Sequence, residues 1–438
     1  MSAKRFLTRR ELLAYSAKAA LAAPALSLGG ALTSCGGGSN SSTQQGPPPL
    51  TDDQFLDELQ RAIFLFFWEQ ASATTGQVKD RASAEGNDTH TVSSIAATGF
   101  GLTALCIGHK RSYGDAAQIQ ARVLNTLTFL NMQTNVNGFF YHFVDWNSGE
   151  RVWSSEVSSI DTSILLCGVL TCRQYFQDAQ IQSLASLIYN RVNWPWMLNG
   201  GSAFSMGWTP ESGFIPTRWD TYSELMMIYL LAIGSTTNPV PASSWDAFTR
   251  PSFTYNGLTY ITNLYAPLFI HQYSHAWFDF RNKQDAYANY FNNSVTATQA
   301  HKQFCLSLLS QFSDYQSNLW GITASDSANG YTAWGGPPVM GTPDGSVVPC
   351  ATGGSLAFVP ADCIAVLRNI QTKYPRAWQR YGFLDAFNPL TNWYDTDVLG
   401  IDAGITMLMA ENHRSGFVWN TFMANPEAQS AFAAVGLK

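Results

Sequence analysis

Two kinds of helical period alternate along this chain, and that alternation restricts the fold more than any other feature. Asp161 to Leu170 (DTSILLCGVL) and Tyr222 to Ile233 (YSELMMIYLLAI) are apolar on nearly every face and need neighbours on all sides. Ala116 to Leu130 is apolar on one face only and suits an outer layer. Repeats at three and four residues predict helices over 52–71, 93–109, 115–132, 157–176, 179–192, 220–233, 258–272, 284–310, 361–373 and 397–413. Short aromatic strands such as Gly138 to Phe143 punctuate them. Stretches 93–109, 157–176, 220–233, 294–310, 355–370 and 397–413 read as six inner elements, each with an amphipathic neighbour. The expected fold is all-α, an α/α six-hairpin toroid with aromatic loops over the inner-helix ends, although an irregular bundle suits the helix count equally well. The 438 residues are 46% hydrophobic, ample for so large a core, and no linker-like break follows residue 50, so residues 51–438 are read as one domain.

The N-terminus reads as a targeting segment. Residues 1–34 combine a basic start, a twin-arginine-like Thr8-Arg9-Arg10-Glu11-Leu12-Leu13 and a mildly apolar run. They end at Leu32-Thr33-Ser34-Cys35, which resembles a lipobox and marks Cys35 for lipidation. Residues 35–50 then form a Gly/Ser tether closing on three prolines, with too few apolar groups to pack. The chain is therefore expected to be exported and lipid-anchored to the outer membrane, on its periplasmic or cell-surface face, as a monomer. Removing the basic leader leaves a body more acidic than the formal net charge of -6, which excludes the footprint that a nucleic-acid backbone requires. Cys106, Cys167, Cys172 and Cys305 read as buried thiols, while Cys350 and Cys363 lie near a Gly/Pro-rich stretch where pairing is open.

Polar and aromatic residues crowd just before the inner helices, where free N–H groups and the helix dipole favour anions. His142 to Asp145 leads through Trp153 to Glu156 and Asp161. Trp208, Glu211, Arg218, Trp219, Asp220, Tyr222 and Glu224 repeat the pattern, with Asp220 and Glu224 four apart and so expected on one helix face. Carboxylates among Trp and Tyr suit glycoside hydrolysis, in which one protonates the leaving oxygen and the other activates water or attacks the sugar. N-capping explains Glu156, Asp161 and Asp220 as well, but not a Glu224 one turn inside an apolar helix. His271, His275 and Asp279 would form one stripe on a continuous helix. Gln272 stands where a zinc peptidase helix carries its glutamate base, so no metal is expected there, and sugar-hydroxyl binding or core packing is. Asp326 and Trp334 lie in a Gly-rich aromatic loop, Asp397 reads as an N-cap, and Asp402 follows inside the last inner helix. No phosphate-loop spacing or serine-hydrolase elbow occurs.

Phe66-Phe67-Trp68-Glu69-Gln70, Ser94 to Gly101, Ser155-Glu156-Val157 with Ile160-Asp161-Thr162, Gly207 to Phe214, His271 to Trp277, Gly321 to Asp326 and Leu399 to Asp402 together resemble the glycoamylase-like domain family across most of residues 55 to 430. The resemblance implies an α/α toroid acting on carbohydrate, and for its endo-β-1,2-glucanases no metal or other cofactor. It places the family's acidic positions on Glu156, Asp161, Glu211, Glu224 and Asp402. The expectation is a β-glucan hydrolase, endo-acting on β-1,2-linkages, with Glu224 as general acid, Glu156 or Asp161 on the water side and Asp402 in reserve. Trp153, Trp208, Arg218, Trp219, Asp220, Tyr222, His271, His275, Trp277, Asp326 and Trp334 are expected to bind sugar. A non-catalytic glycan-binding surface lipoprotein and a polysaccharide lyase on a similar toroid are the alternatives.

Overall fold

The computed structural model describes residues 50–263, 267–339 and 341–438. The leader, Cys35 and nearly all of the tether lie outside the described residues. Thirteen α-helices are found among them: α1 (Asp52–Glu69), α2 (Ile95–Arg111), α3 (Ala116–Met132), α4 (Ser159–Tyr175), α5 (Ala179–Asn190), α6 (Trp194–Leu198), α7 (Met226–Gly234), α8 (Tyr290–Ser307), α9 (Pro349–Gly353), α10 (Pro360–Lys373), α11 (Gly400–Ser415), α12 (Phe417–Phe422) and α13 (Pro426–Ala434). No helix of the described residues is long and apolar enough to cross a membrane.

Six elements close an inner ring in the order α2, α4, α7, the two 3-10 turns Leu268–His271 and Tyr273–Ala276, α9 and α11, which returns to α2. Hydrogen bonds carry the ring where helices are short. The Ser274 hydroxyl accepts from the Met227 N–H at 3.1 Å and donates to the Glu224 carbonyl at 2.7 Å, while the Gln272 amide donates to the Ala351 carbonyl at 2.9 Å. Outside lie α1, α3, α5, α13, α8 and α10. The α2 and α4 helices bury nearly every residue, as their all-round apolar pattern requires. They approach backbone to backbone because Gly99 and Gly168 face each other. A Cβ on Gly168 would stand 2.1 Å from the Gly99 carbonyl oxygen.

Several expectations change. The described residues of 258–272 form no α-helix: Ser252–Tyr255 and Leu258–Ile261 make a hairpin turned by Asn256-Gly257, both at positive φ, a local preference stronger than the apolar spacing. The fourth inner position falls to the 3-10 turns and not to 294–310, which belongs to outer helix α8. The fifth is short α9 and not 355–370, because Pro360 starts outer helix α10 at its first turn. The third inner helix begins at Met226, so Asp220 and Glu224 share no helix face: Asp220 is exposed, its carbonyl held by the Thr249 N–H at 2.8 Å, while Glu224 turns inward. Asp397 is no N-cap. It lies in a strand, Asp397–Leu399, paired with Arg81–Ser83, and α11 carries no side-chain cap. Among the described residues no disulfide forms, and Cys350 and Cys363 are buried on α9 and α10.

Candidate active site

Short ladders gather at one end of the toroid, where the inner helices begin. Val92–Ser94 pairs with Phe143–Asp145 ahead of α2, Val157–Ser158 with Gly207–Thr209 ahead of α4, and Arg81–Ser83 with Asp397–Leu399 ahead of α11. Each strand delivers its helix N-terminus, and the side chains beside it, to the same rim.

Three groups of ionisable side chains stand there. In the first, His142 bridges two carboxylates: Nδ1 lies 3.3 Å from Glu156 and Nε2 3.5 Å from Asp161. Ser158, which caps α4, also donates to the Asp161 carboxylate. The second is Glu224, only 2% exposed, on the segment that leads into α7. The third surrounds Asp402, 5% exposed in the first turn of α11, whose carboxylate lies 3.5 Å from the Tyr273 hydroxyl and against the carboxyl of Asp385.

Around Asp385 the aspartates crowd. Asp385 Oδ2 accepts the Asp326 N–H at 2.7 Å, and Arg81 pairs with Asp326, with Asp80 at 3.3 Å and with Asp397 at 3.8 Å. Burial works against the Arg81 charge, but these carboxylates more than offset it and its pKa is raised. Burial pushes Asp326 upward against the pull of Arg81. Asp395 is pushed up to about 7, by burial first and then by Asp326 and Asp397. Asp385 is driven well above the usual carboxylate range by burial, then by Asp402 and Asp326. Donor atoms lie within 4.8 Å of one another in two sets, His142/Glu156/Asp161 and Asp326/Asp385/Asp395. In the first, both imidazole nitrogens already face the carboxylates, and beside the second Arg81 supplies positive charge, so we assign neither to a metal.

The other expected site residues separate into those at the rim and those beneath it. Trp153 is 65% exposed with its ring 5.2 Å from Phe143, and half-buried Trp208 pairs opposite Val157 and packs near Trp196. Glu211 is at the rim but 57% exposed, gripped by both terminal nitrogens of Arg151, which hold its carboxyl below the ordinary range. Trp219, Tyr222, His271, His275, Trp277 and Trp334 are instead buried and bonded internally, so they present no face to a sugar. Trp219 donates to Ser159, Trp277 to Thr103 and Trp334 to Ser325. His271 sits between Tyr222 and Thr262. The 3-10 winding breaks the expected stripe and turns His275 outward to Ser294 of α8, while Asp279 pairs with Arg281. Burial lowers both histidines to about 3, which keeps them neutral. Arg218 spends its guanidinium on the Leu198 and Ala203 carbonyls.

Arg81, Asp385 and Asp395 were not legible as site residues. Asp385 alone leaves a local signal, a single acid inside the apolar run Phe383-Leu384-Asp385-Ala386-Phe387, where an acid is seldom buried without a purpose.

A ring of inner and outer helices thus carries buried carboxylates at its strand-lined rim. The chain is similar to the glycoamylase-like family: the family model described as "Putative glucoamylase" matches residues 216–426, and relatives align with most of the chain. One, an exo beta-1,2-glucooligosaccharide sophorohydrolase of Parabacteroides distasonis, is 28% identical over 88% of this chain, which spans 58% of that relative's length. The structure of an endo-beta-1,2-glucanase from Chitinophaga pinensis, complexed with sophorotriose and glucose, is 26% identical, superposes with a TM-score of 0.82 and matches 89% of this chain and 99% of its own. A beta-1,2-glucanase structure from Parabacteroides distasonis is 25% identical at the same TM-score, over 88% of this chain and 60% of its own.

Proposed function

We propose that the protein is a glycoside hydrolase that cuts β-1,2-glucan internally, with Glu224 as general acid and Asp402 as the base that activates water. One observation carries the choice of pair. Glu224 precedes α7 and Asp402 lies in the first turn of α11, elements three steps apart in a ring of six, and we place the two on opposite sides of the substrate. A glycosidic bond placed between them meets an acid on one side and a water-activating carboxylate on the other. Glu156 and Asp161 share one wall and one histidine, which suits them to holding substrate hydroxyls. In the reaction Glu224 gives its proton to the leaving oxygen as the C–O bond breaks. Asp402 takes a proton from the water whose oxygen joins the anomeric carbon. The match to the endo-glucanase over 99% of that chain supports internal cutting, and its sophorotriose ligand supports the linkage. The exposed ring of Trp153 and the half-buried ring of Trp208 offer apolar faces to sugar C–H groups.

We extend the proposal to location: lipidation at Cys35 and the flexible tether hold the catalytic body at the outer membrane, supported by the lipobox-like Leu32-Thr33-Ser34-Cys35.

The test is incubation with linear β-1,2-glucan, resolving products by size and following their anomeric configuration at early time. Intermediate-length oligosaccharides released with inversion are expected. Disaccharide alone from the outset overturns the endo reading, and retention overturns Asp402 as water base. Glu224→Gln and Asp402→Asn are each expected to lower kcat by about 1,000-fold or more while the variants still bind glucan.

A further inference from the structure

Asp385 is the most deeply buried of the aspartates around Arg81, 3% exposed. It lies on the segment between two small hairpins, where its N–H donates to the Asp397 carbonyl at 3.0 Å and its Oδ2 accepts from the Asp326 N–H at 2.7 Å. The rest of the carboxyl meets Asp402. Behind the pair is a cavity of about 20 Å³, room for a single water, lined mainly by apolar side chains that include Leu59, Ile63, Leu384, Val398 and Ala403. Two carboxyls in contact beside such walls do not both ionise, because apolar surroundings leave their repulsion poorly screened. Arg81 pairs with Asp326, Asp80 and Asp397, on the far side of Asp385 from Asp402 in the chain of contacts. The groups facing Asp385 are therefore Asp402 from α11, Asp326 from its loop, Asp395 from the last hairpin and Arg81 from the first strand pair.

We infer that Asp385 is a positioning residue: it keeps the proton of the pair and donates it as a hydrogen bond to Asp402, fixing that carboxylate, ionised, toward the attacking water. The inference rests on the hydrolase reading above. The proton stays on Asp385 through the reaction and no bond to substrate forms there. Burial and the adjoining charges raise the Asp385 pKa, so the arrangement is lost only as pH rises far enough to remove that proton. An asparagine at 385 stays neutral at every pH and still offers an N–H to Asp402, whereas alanine offers nothing.

The experiment compares wild type, Asp385→Asn and Asp385→Ala. Asp385→Asn is expected to keep kcat within about fivefold and to move the alkaline limb of its pH profile upward by about one unit or more. Asp385→Ala is expected to lower kcat by about 100-fold with KM little changed, as misorientation of a reacting group does. Equal pH profiles and kcat in all three proteins overturn the inference, as does an asparagine variant as inactive as Asp402→Asn, which would make Asp385 itself the base. An infrared difference spectrum, wild type minus Asp385→Asn at pH 7 with carboxyl-labelled aspartate, reads the proton without turnover. An acid carbonyl band supports the shared proton, and its absence overturns the inference whatever the activity. A band in a protein that cuts no glucan removes the hydrolase reading and leaves the carboxyl pair standing.

Discussion

At the scale of single residues, the acids at the rim are distinguished by what holds them. Glu211 is gripped from solvent by Arg151, whose hydrogen bonds lower its pKa and favour the ionised form. A general acid needs the opposite, a carboxyl withdrawn from solvent, and Glu224 is only 2% exposed. Glu211→Gln is therefore expected to change kcat by about twofold or less, its effect confined to KM through the loop that Arg151 organises, in contrast to the collapse expected for Glu224→Gln. Steady-state kinetics on β-1,2-glucan separate the two; a Glu211→Gln variant as inactive as Glu224→Gln would return Glu211 to the chemistry. Ser274 acts on the same site from behind. One hydroxyl satisfies both the carbonyl of Glu224 and the N–H of Met227, so the segment that presents Glu224 is tied to the neighbouring inner element.

Among the elements, the contact between α2 and α4 sets how closely the ring can close. Gly168→Ala would place a Cβ 2.1 Å from the Gly99 carbonyl oxygen, and backbone cannot yield as a side-chain tip does. The expected cost is about 1–3 kcal/mol, read as a lower denaturant midpoint with an unchanged slope. These two helices were legible because nothing but burial on all sides explains DTSILLCGVL or the run around Gly99. The fourth and fifth inner elements were not. A 3-10 turn has no 3.6-residue period to detect, and five-residue α9 is too short to show one. Asn256-Gly257 and Pro360 were the available signals for the hairpin and for the start of α10, and apolar spacing masked both. The acids nearest the helix starts were legible for the same reason as the helices. Arg81 was not, since it meets Asp326 and Asp397 only when distant parts of the chain come together, and Asp385 was not, since it meets Asp402 and Asp326 across loops that carry no period.

Across the whole molecule, that meeting of distant segments closes the toroid and concentrates charge. Arg81–Ser83 pairs with Asp397–Leu399, Gly400 donates to the Asp80 carbonyl, and ion pairs from Arg380 to Glu69 and Arg414 to Asp53 seal the same seam. The two sets of acids along it pull stability in opposite directions with pH. Asp53 and Glu69, held low chiefly by hydrogen bonds from Arg414 and Arg380, lose their contribution as pH falls through the carboxylate range. Asp395 has the reverse sign. Its folded pKa of about 7 exceeds the ordinary 3.8, so the unfolded chain releases its proton first and stability declines from about pH 4 to 7, with the full penalty above. Asp395→Asn keeps the carbonyl that accepts the Thr396 N–H and removes the titration. The variant is expected to match wild type at pH 4 and to be more stable at pH 8 by about 2 kcal/mol, discounted for the partial exposure of the group. Denaturant titrations at the two pH values check this. An equal difference at both would mean that Asp395 acts through packing, whereas a gap that opens only between pH 4 and 8 ties the seam to its charge and leaves Arg81 as the cation that keeps the rim intact at neutral pH.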